Sequence, residues 1–164
     1  MDLSAFPERI PAPPASGRDG AGSALSYVLD RRRVAVREDA SSVEAGPGVS
    51  IGPDLTVLPA DSLPGDSEAD VLPVYGLGAG GAPFVPTGTV GLRFREGVSA
   101  WDRQDGLHQV GYRILDVPAY APHFAWIEAR SGRLVDTLAG LHELQEIPDV
   151  AHVEVQMITP KATR

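Results

Sequence analysis

The stretch GTVGLRFREGVS, residues 88–99, decides how the second half of this chain is read. Its first part alternates strictly, with Val90, Leu92 and Phe94 on one side and Gly91, Arg93 and Arg95 on the other. A period of two is the mark of a half-buried strand. Gly97 ends that strand. Ser99 then stands where a helix N-cap hydroxyl would accept from a free amide of the first turn. A helix is expected over about 100–110, with Trp101, Leu107 and Val110 as a thin apolar pattern, weakened by Gly106 and stopped at Gly111.

Working downstream, residues 112–117 read as a second strand, 118–122 as a loop and 123–129 as a third strand. Ser131-Gly132 opens the strongest helix, 133–145, where Leu134, Leu138, Leu141 and Leu144 form one apolar stripe. Ile147-Pro148 closes it, since proline cannot continue a helix. A last alternating run, 150–157, is a fourth strand. The order β-α-β-β-α-β over residues 89–157 predicts an α+β, ferredoxin-like domain: an antiparallel sheet with two helices on one face.

Working upstream, residues 1–24 are rich in Pro, Ala, Gly and Ser without periodicity and read as a disordered leader. Residues 25–88 form a β-rich, loop-rich segment of hairpins. Two short strands are expected in 25–38 with a turn at Asp30-Arg31, one strand near 55–58, and a hairpin from 71–75 and 83–85 around GLGAGG. RRRVAVREDASS resembles GTVGLRFREGVS, and ADVLPVYGL resembles VAHVEVQMI. The segment therefore reads either as a degenerate copy of the later unit or as a chance likeness. Residues 158–164 are an extended C-terminal tail.

Composition narrows the function. A hydrophobic share of 43% supports a core, while Gly 18 and Pro 15 point to long irregular connections. With no cysteine there are no disulfides, thiolate metal sites or thiol nucleophiles. A net charge of -8, with Lys161 the only lysine, argues against nucleic-acid binding, which needs clustered cations. Neither a signal peptide nor a membrane-length apolar run is visible. The expectation is a soluble, cytoplasmic protein without a membrane partner.

Motifs for catalysis and cofactors are lacking. Gly76, Gly78 and Gly81 satisfy G-x-G-x-x-G, but Ala-Pro-Phe-Val-Pro follows, where a dinucleotide site needs a helix N-terminus. A hairpin turn fits better. His108, His123, His142 and His152 have no partner at metal spacing. The acidic run 61–70 lacks the ligand spacing of a calcium loop and reads as a solvated loop. No nucleophile elbow is present. The expectation is a non-enzyme with no cofactor and no metal.

What remains is surface. If Ala125, Ile127 and Ala129 lie under the helices, Phe124, Trp126 and Glu128 occupy the open side of the sheet. His152, Glu154 and Gln156 join them if Val153, Val155 and Met157 face inward. Two aromatics on an uncovered face make a candidate protein-binding spot. The opposite parity, with both aromatics in the core, is the competing reading.

Taken in order, TVGLRFREGVS, GYRIL, FAWIEA and LAGLHELQEIPDVAHVEV resemble the propeptide of subtilisin-like serine proteases, and the preceding VLPVYGLGAGGAPFVPTGTV is similar to the region that leads into such propeptides, so the resemblance covers residues 71–157. The step from helix to last strand stands here as Ile147-Pro148-Asp149-Val150-Ala151-His152-Val153-Glu154. The resemblance implies a folding chaperone and inhibitor of such a protease, in cis or in trans. Its open sheet face would pack on the enzyme, and its tail would lie in the substrate cleft. By position, Glu154 matches an acidic residue that faces helix N-termini of the protease, and Gln156 is a neutral counterpart. Met157, Ile158, Thr159, Pro160, Lys161, Ala162, Thr163 and Arg164 would enter the cleft, adding main-chain hydrogen bonds beside the enzyme's strands. A non-catalytic interaction module within a larger complex is the alternative.

Overall fold

The computed structural model describes residues 2–12, 25–37, 48–63, 70–77 and 81–160. These fall into two units. The first takes residues 2–10, 25–37, 48–63, 70–77, 81–86 and 157–160, and the second takes 11–12 and 87–156.

The first unit is built from β1 (Arg9–Pro11), β2 (Ser26–Arg37), β3 (Val49–Ile51), β4 (Leu55–Pro59), β5 (Asp70–Leu77) and the opening of β6 (Pro83–Phe94). β2 pairs antiparallel with β4 and with β5, β3 pairs with β4, and β5 meets β6 at Tyr75↔Phe84 and Gly76↔Pro83. Ala35, Ile51, Leu55, Val57, Val74 and Val85 form its core, with Leu72 and Ile158 packed against them. β-branched residues dominate this cluster because they fill a pleated surface well.

Two expectations for this unit need correction. The leader is structured over residues 2–12. Asp2 caps a 3-10 turn at Leu3–Ala5, and Ile10 on β1 is fully buried. The Tyr75 hydroxyl donates to the Pro7 carbonyl at 2.9 Å, and the Leu29 amide donates to the Glu8 carbonyl at 2.9 Å. These anchors lie far away in sequence, so local composition hides them. Residues 13–24 lie outside the described residues. The expected pair of strands in 25–38 is instead one strand, whose register against β5 shifts between Leu29 and Val34. Asp30 holds that irregularity: its carboxylate accepts from the Arg32 amide at 2.9 Å and from Arg33 Nε at 2.7 Å. Arg33 also donates to the Gly81 carbonyl at 3.1 Å. The tip of GLGAGG at 78–80 and most of the acidic run, 64–69, lie outside the described residues.

The second unit holds the rest of β6, a 3-10 turn at Ala100–Arg103, α1 (Gln104–Gln109), β7 (Tyr112–Asp116), β8 (Phe124–Ala129), α2 (Leu134–Ala139), α3 (Leu141–Glu146) and most of β9 (Val150–Ile158). Its strands lie in the order β9-β6-β8-β7. β6 pairs β8 from Val90↔Ile127 to Arg93↔Phe124. α1 lies against β7 and α2 against β8. Val90, Leu92, Phe94, Ala125, Ile127, Val153 and Val155 are buried from the strands, and Leu107, Leu138, Leu141 and Leu144 from the helices. Each such leucine contributes about 1.5–3 kcal/mol by leaving water.

The prediction of a ferredoxin-like α+β chain with two helices on one face is overturned. Among the described residues the chain is mainly antiparallel sheet of nine strands: seven lie on the hydrogen-bonded path β3-β4-β2-β5-β6-β8-β7, with β1 on β2 and β9 on β6 beside it. Among the described residues no helix exceeds six residues. Three physical causes account for the difference. The expected short strand at 83–85 and the strand from 89 are one twelve-residue strand, so β6 belongs to the hairpin with β5 as much as to the later sheet. The first helix begins as a 3-10 turn because its apolar pattern is thin; Trp101 is exposed and only Ala100 and Leu107 are buried from it. Ser99 has cap-like backbone angles but makes no side-chain cap bond. The second helix breaks at Gly140, where a Cβ would come within 2.5 Å of the Tyr112 hydroxyl oxygen. The ring of Tyr112 thus demands glycine inside the apolar stripe.

The link from α3 to β9 is a tight turn. The Val150 amide donates to the Ile147 carbonyl at 3.2 Å, with Pro148 and Asp149 between them. Asp149 takes φ 69°, a left-handed conformation that aspartate tolerates better than most residues. Its carboxylate pairs with Arg103 at 2.5 Å, and its carbonyl accepts from the Arg95 amide at 2.8 Å. Among the described residues no helix is long and apolar enough to cross a membrane.

Candidate functional site

β8 alternates by burial: Ala125, Ile127 and Ala129 are buried, whereas Phe124, Trp126 and Glu128 are half-buried on the other side. The aromatic rings meet edge to face, with centroids 4.9 Å apart and planes at 87°. Beneath them on β6 is Gly91, in register with Trp126. A Cβ there would stand 3.1 Å from the Phe124 ring and 3.2 Å from the Trp126 ring. The missing side chain is what lets both rings lie down on the sheet.

At one flank, Glu128 is held by Arg113 of β7 through paired guanidinium hydrogen bonds, Arg113 Nε at 2.8 Å. On β9, Val153 and Val155 are buried while Glu154 and Gln156 are exposed and His152 is half-buried. His152 Nε2 lies 3.9 Å from Glu154, whose side chain keeps 51% of its exposure. Gln156 is engaged locally, its side-chain oxygen accepting from Thr87 Oγ1 at 3.2 Å.

The expected tail residues separate into three groups. Met157 and Ile158 complete β9, and Ile158 packs into the first unit's core, so these two are not part of a free tail. Thr159 is exposed and Pro160 half-buried, beyond the strand. Lys161, Ala162, Thr163 and Arg164 lie outside the described residues.

Arg93, which the alternation of 88–95 puts on this side together with Gly91 and Arg95, belongs to the face as well. It is exposed, pairs in register with Phe124, and makes no hydrogen bond or ion pair among the described residues. Its signal was the alternation of GTVGLRF, which puts a cation and a bare glycine on one side. Other large apolar residues of this unit are also exposed: Trp101 at 53%, Leu115 at 47% and Tyr120 at 91%.

No group of three or more His, Cys, Asp or Glu residues that could hold a metal ion occurs among the described residues. Gly76 lies within β5, and Pro83 begins the strand that follows the glycine-rich turn. Buried hydroxyls serve packing. Tyr112 donates to the Thr137 carbonyl at 2.7 Å, and burial raises the phenol pKa of both Tyr75 and Tyr112 well above its ordinary value. What the face can do chemically is bind: an aromatic pair, a self-neutralised Arg113–Glu128 pair, and exposed charges at Arg93, Asp116 and Glu154. No family model, curated protein or solved structure matches the chain.

Proposed function

We propose that the chain binds, inhibits and assists the folding of a subtilisin-like serine protease. It docks by the sheet side that carries Phe124 and Trp126 and offers the segment beyond Ile158 to the substrate cleft. The observation that carries this reading is the aromatic pair, half-buried on the strand side opposite the core, with an exposed Glu154 on β9, two strands away. Aromatic residues in partly desolvated positions are where binding energy concentrates. The Glu154 carboxylate suits the free amides and positive dipole of a helix N-terminus.

The family resemblance supplies the partner class. Ile158 packs against a core, which shortens the free tail. The residues left for the cleft are 159–164, with an extended reach of about 20 Å. A non-catalytic interaction module is the second reading. It is favoured by the exposure of Trp101, Leu115 and Tyr120, which the protease reading does not use.

The test is titration of the chain into a subtilisin-like protease while peptide hydrolysis is followed. Sub-micromolar inhibition that disappears on deleting residues 159–164, with the melting temperature unchanged, is the expected result. Inhibition that survives the deletion would remove the tail from the mechanism. No inhibition by the intact, uncleaved chain would leave the interaction module standing.

A further inference from the structure

We infer that the partner of this sheet side carries a carboxylate opposite Arg93. The inference rests on the protease reading and specifies the surface that the protease must present.

Several charges are already satisfied within the chain. Arg113 and Glu128 neutralise one another across β7 and β8. Arg31, Arg33, Arg37, Arg103 and Arg133 each have an acidic partner within the chain. Arg93 has none among the described residues, nor do Arg9, Arg32, Arg95 and Arg130; what sets Arg93 apart is its place directly opposite Phe124. It stands at the last register pair of β6 with β8, one residue before the strand ends.

Its neighbour makes that isolation matter. Arg93 is directly opposite Phe124 on β8, and directly paired side chains on one side of a sheet lie about 5 Å apart. Phe124 in turn touches Trp126. Any surface that covers the two rings therefore also removes water from the guanidinium. A buried charge is tolerated only with an opposite charge or a full set of acceptors. A planar guanidinium is best met by a carboxylate taking two parallel hydrogen bonds.

The partner's footprint thus needs a carboxylate facing Arg93, apolar surface over Phe124 and Trp126, and cations or hydrogen-bond donors facing Asp116, which is exposed and in register with Trp126, and Glu154 on β9. The Arg113–Glu128 pair asks for nothing further. Such an arrangement fixes orientation as well as affinity, because a rotated partner would place its carboxylate against Glu154.

The experiment measures binding of the full chain to a subtilisin-like protease whose nucleophilic serine is changed to alanine. The chain is compared as wild type, Arg93→Gln, Arg93→Glu, Phe124→Ala and Trp126→Ala. Arg93→Glu is expected to weaken binding on the order of a hundredfold, and Arg93→Gln by roughly tenfold. Neither should shift the melting temperature, since Arg93 is exposed and unpaired. Changing the protease's surface Asp and Glu residues to Lys one at a time should reveal one that restores binding to the Arg93→Glu chain. If both Arg93 variants bind within threefold of wild type while the aromatic variants bind weakly, the inference is overturned and the protease reading survives. If the wild-type chain does not bind, both fall together.

Discussion

Phe124 and Trp126 meet edge to face with their ring centroids 4.9 Å apart, in the space that Gly91 leaves by having no side chain. Gly91→Val would push methyl groups into rings that an ordinary Cβ already crowds at 3.1 and 3.2 Å. Overpacking of this kind costs about 1–3 kcal/mol. Urea unfolding should show that loss. The fluorescence of Trp126 should shift to the red as the ring lifts toward water, and an unchanged spectrum would mean that the rings do not depend on the gap.

Gly140 and Tyr112 make a coupled pair inside the helical layer. Alanine is favoured over glycine in a helix by about 1 kcal/mol, yet Gly140→Ala should destabilise, because the new Cβ would meet the Tyr112 hydroxyl oxygen at 2.5 Å. Tyr112→Phe removes that oxygen and its bond to the Thr137 carbonyl, at a cost of about 1–3 kcal/mol. The double variant should lose less than the sum of the two single losses. Additive losses would show that the contact is not what interrupts the helix.

Asp149 combines a left-handed backbone with an ion pair to Arg103, whose Nε is buried and without a partner among the described residues. Asp149→Ala should be the worst of the small replacements. It pays about 1–2 kcal/mol for the backbone and leaves the guanidinium unmatched. Asp149→Asn keeps the backbone preference, and Asp149→Gly removes the strain, so each should cost less. Equal melting temperatures for all three would count against this account.

The two tyrosines raised by burial set the alkaline limit. Tyr75 and Tyr112 have folded-state pKa values above the ordinary value near 10, so their contribution is full below about pH 10. It is lost as the pH climbs beyond that point, since the unfolded phenols ionise first. Stability followed by circular dichroism should hold through neutral pH and fall above about pH 10. Tyr75→Phe should soften that fall. The same substitution also frees the Pro7 carbonyl, so hydrogen exchange at the Leu29 amide should accelerate.

Most individual strands were legible because alternation is a local property. Val90, Leu92 and Phe94 announce their buried side, and Ala125, Ile127 and Ala129 announce theirs. What could not be read was continuity. β2 breaks parity at Asp30, where three extra residues return Leu29 and Val34 to one side, and that break reads as a turn. β6 carries Pro86 and Gly88, which read as punctuation though the strand runs through them. The helix stop at Gly140 depends on Tyr112, which lies 28 residues away in sequence. The candidate site follows the same division. Phe124, Trp126 and Glu154 came from parity, whereas the commitment of Ile158 to a core and the isolation of Arg93 needed three-dimensional neighbours.

The strands at the two ends of the main path, β3 and β7, also have a bearing on handling the protein at high concentration. β3 is three residues long, and β7 slips its register between Ile114 and Asp116 while presenting Arg113 and Asp116. Short, bulged and charged edges are poor templates for an incoming strand. Concentrated solutions should therefore resist fibril seeding at these two edges. Straightening β7 by deleting Leu115 should convert a clear sample into one that gels with a lag phase, an outcome that light scattering records directly.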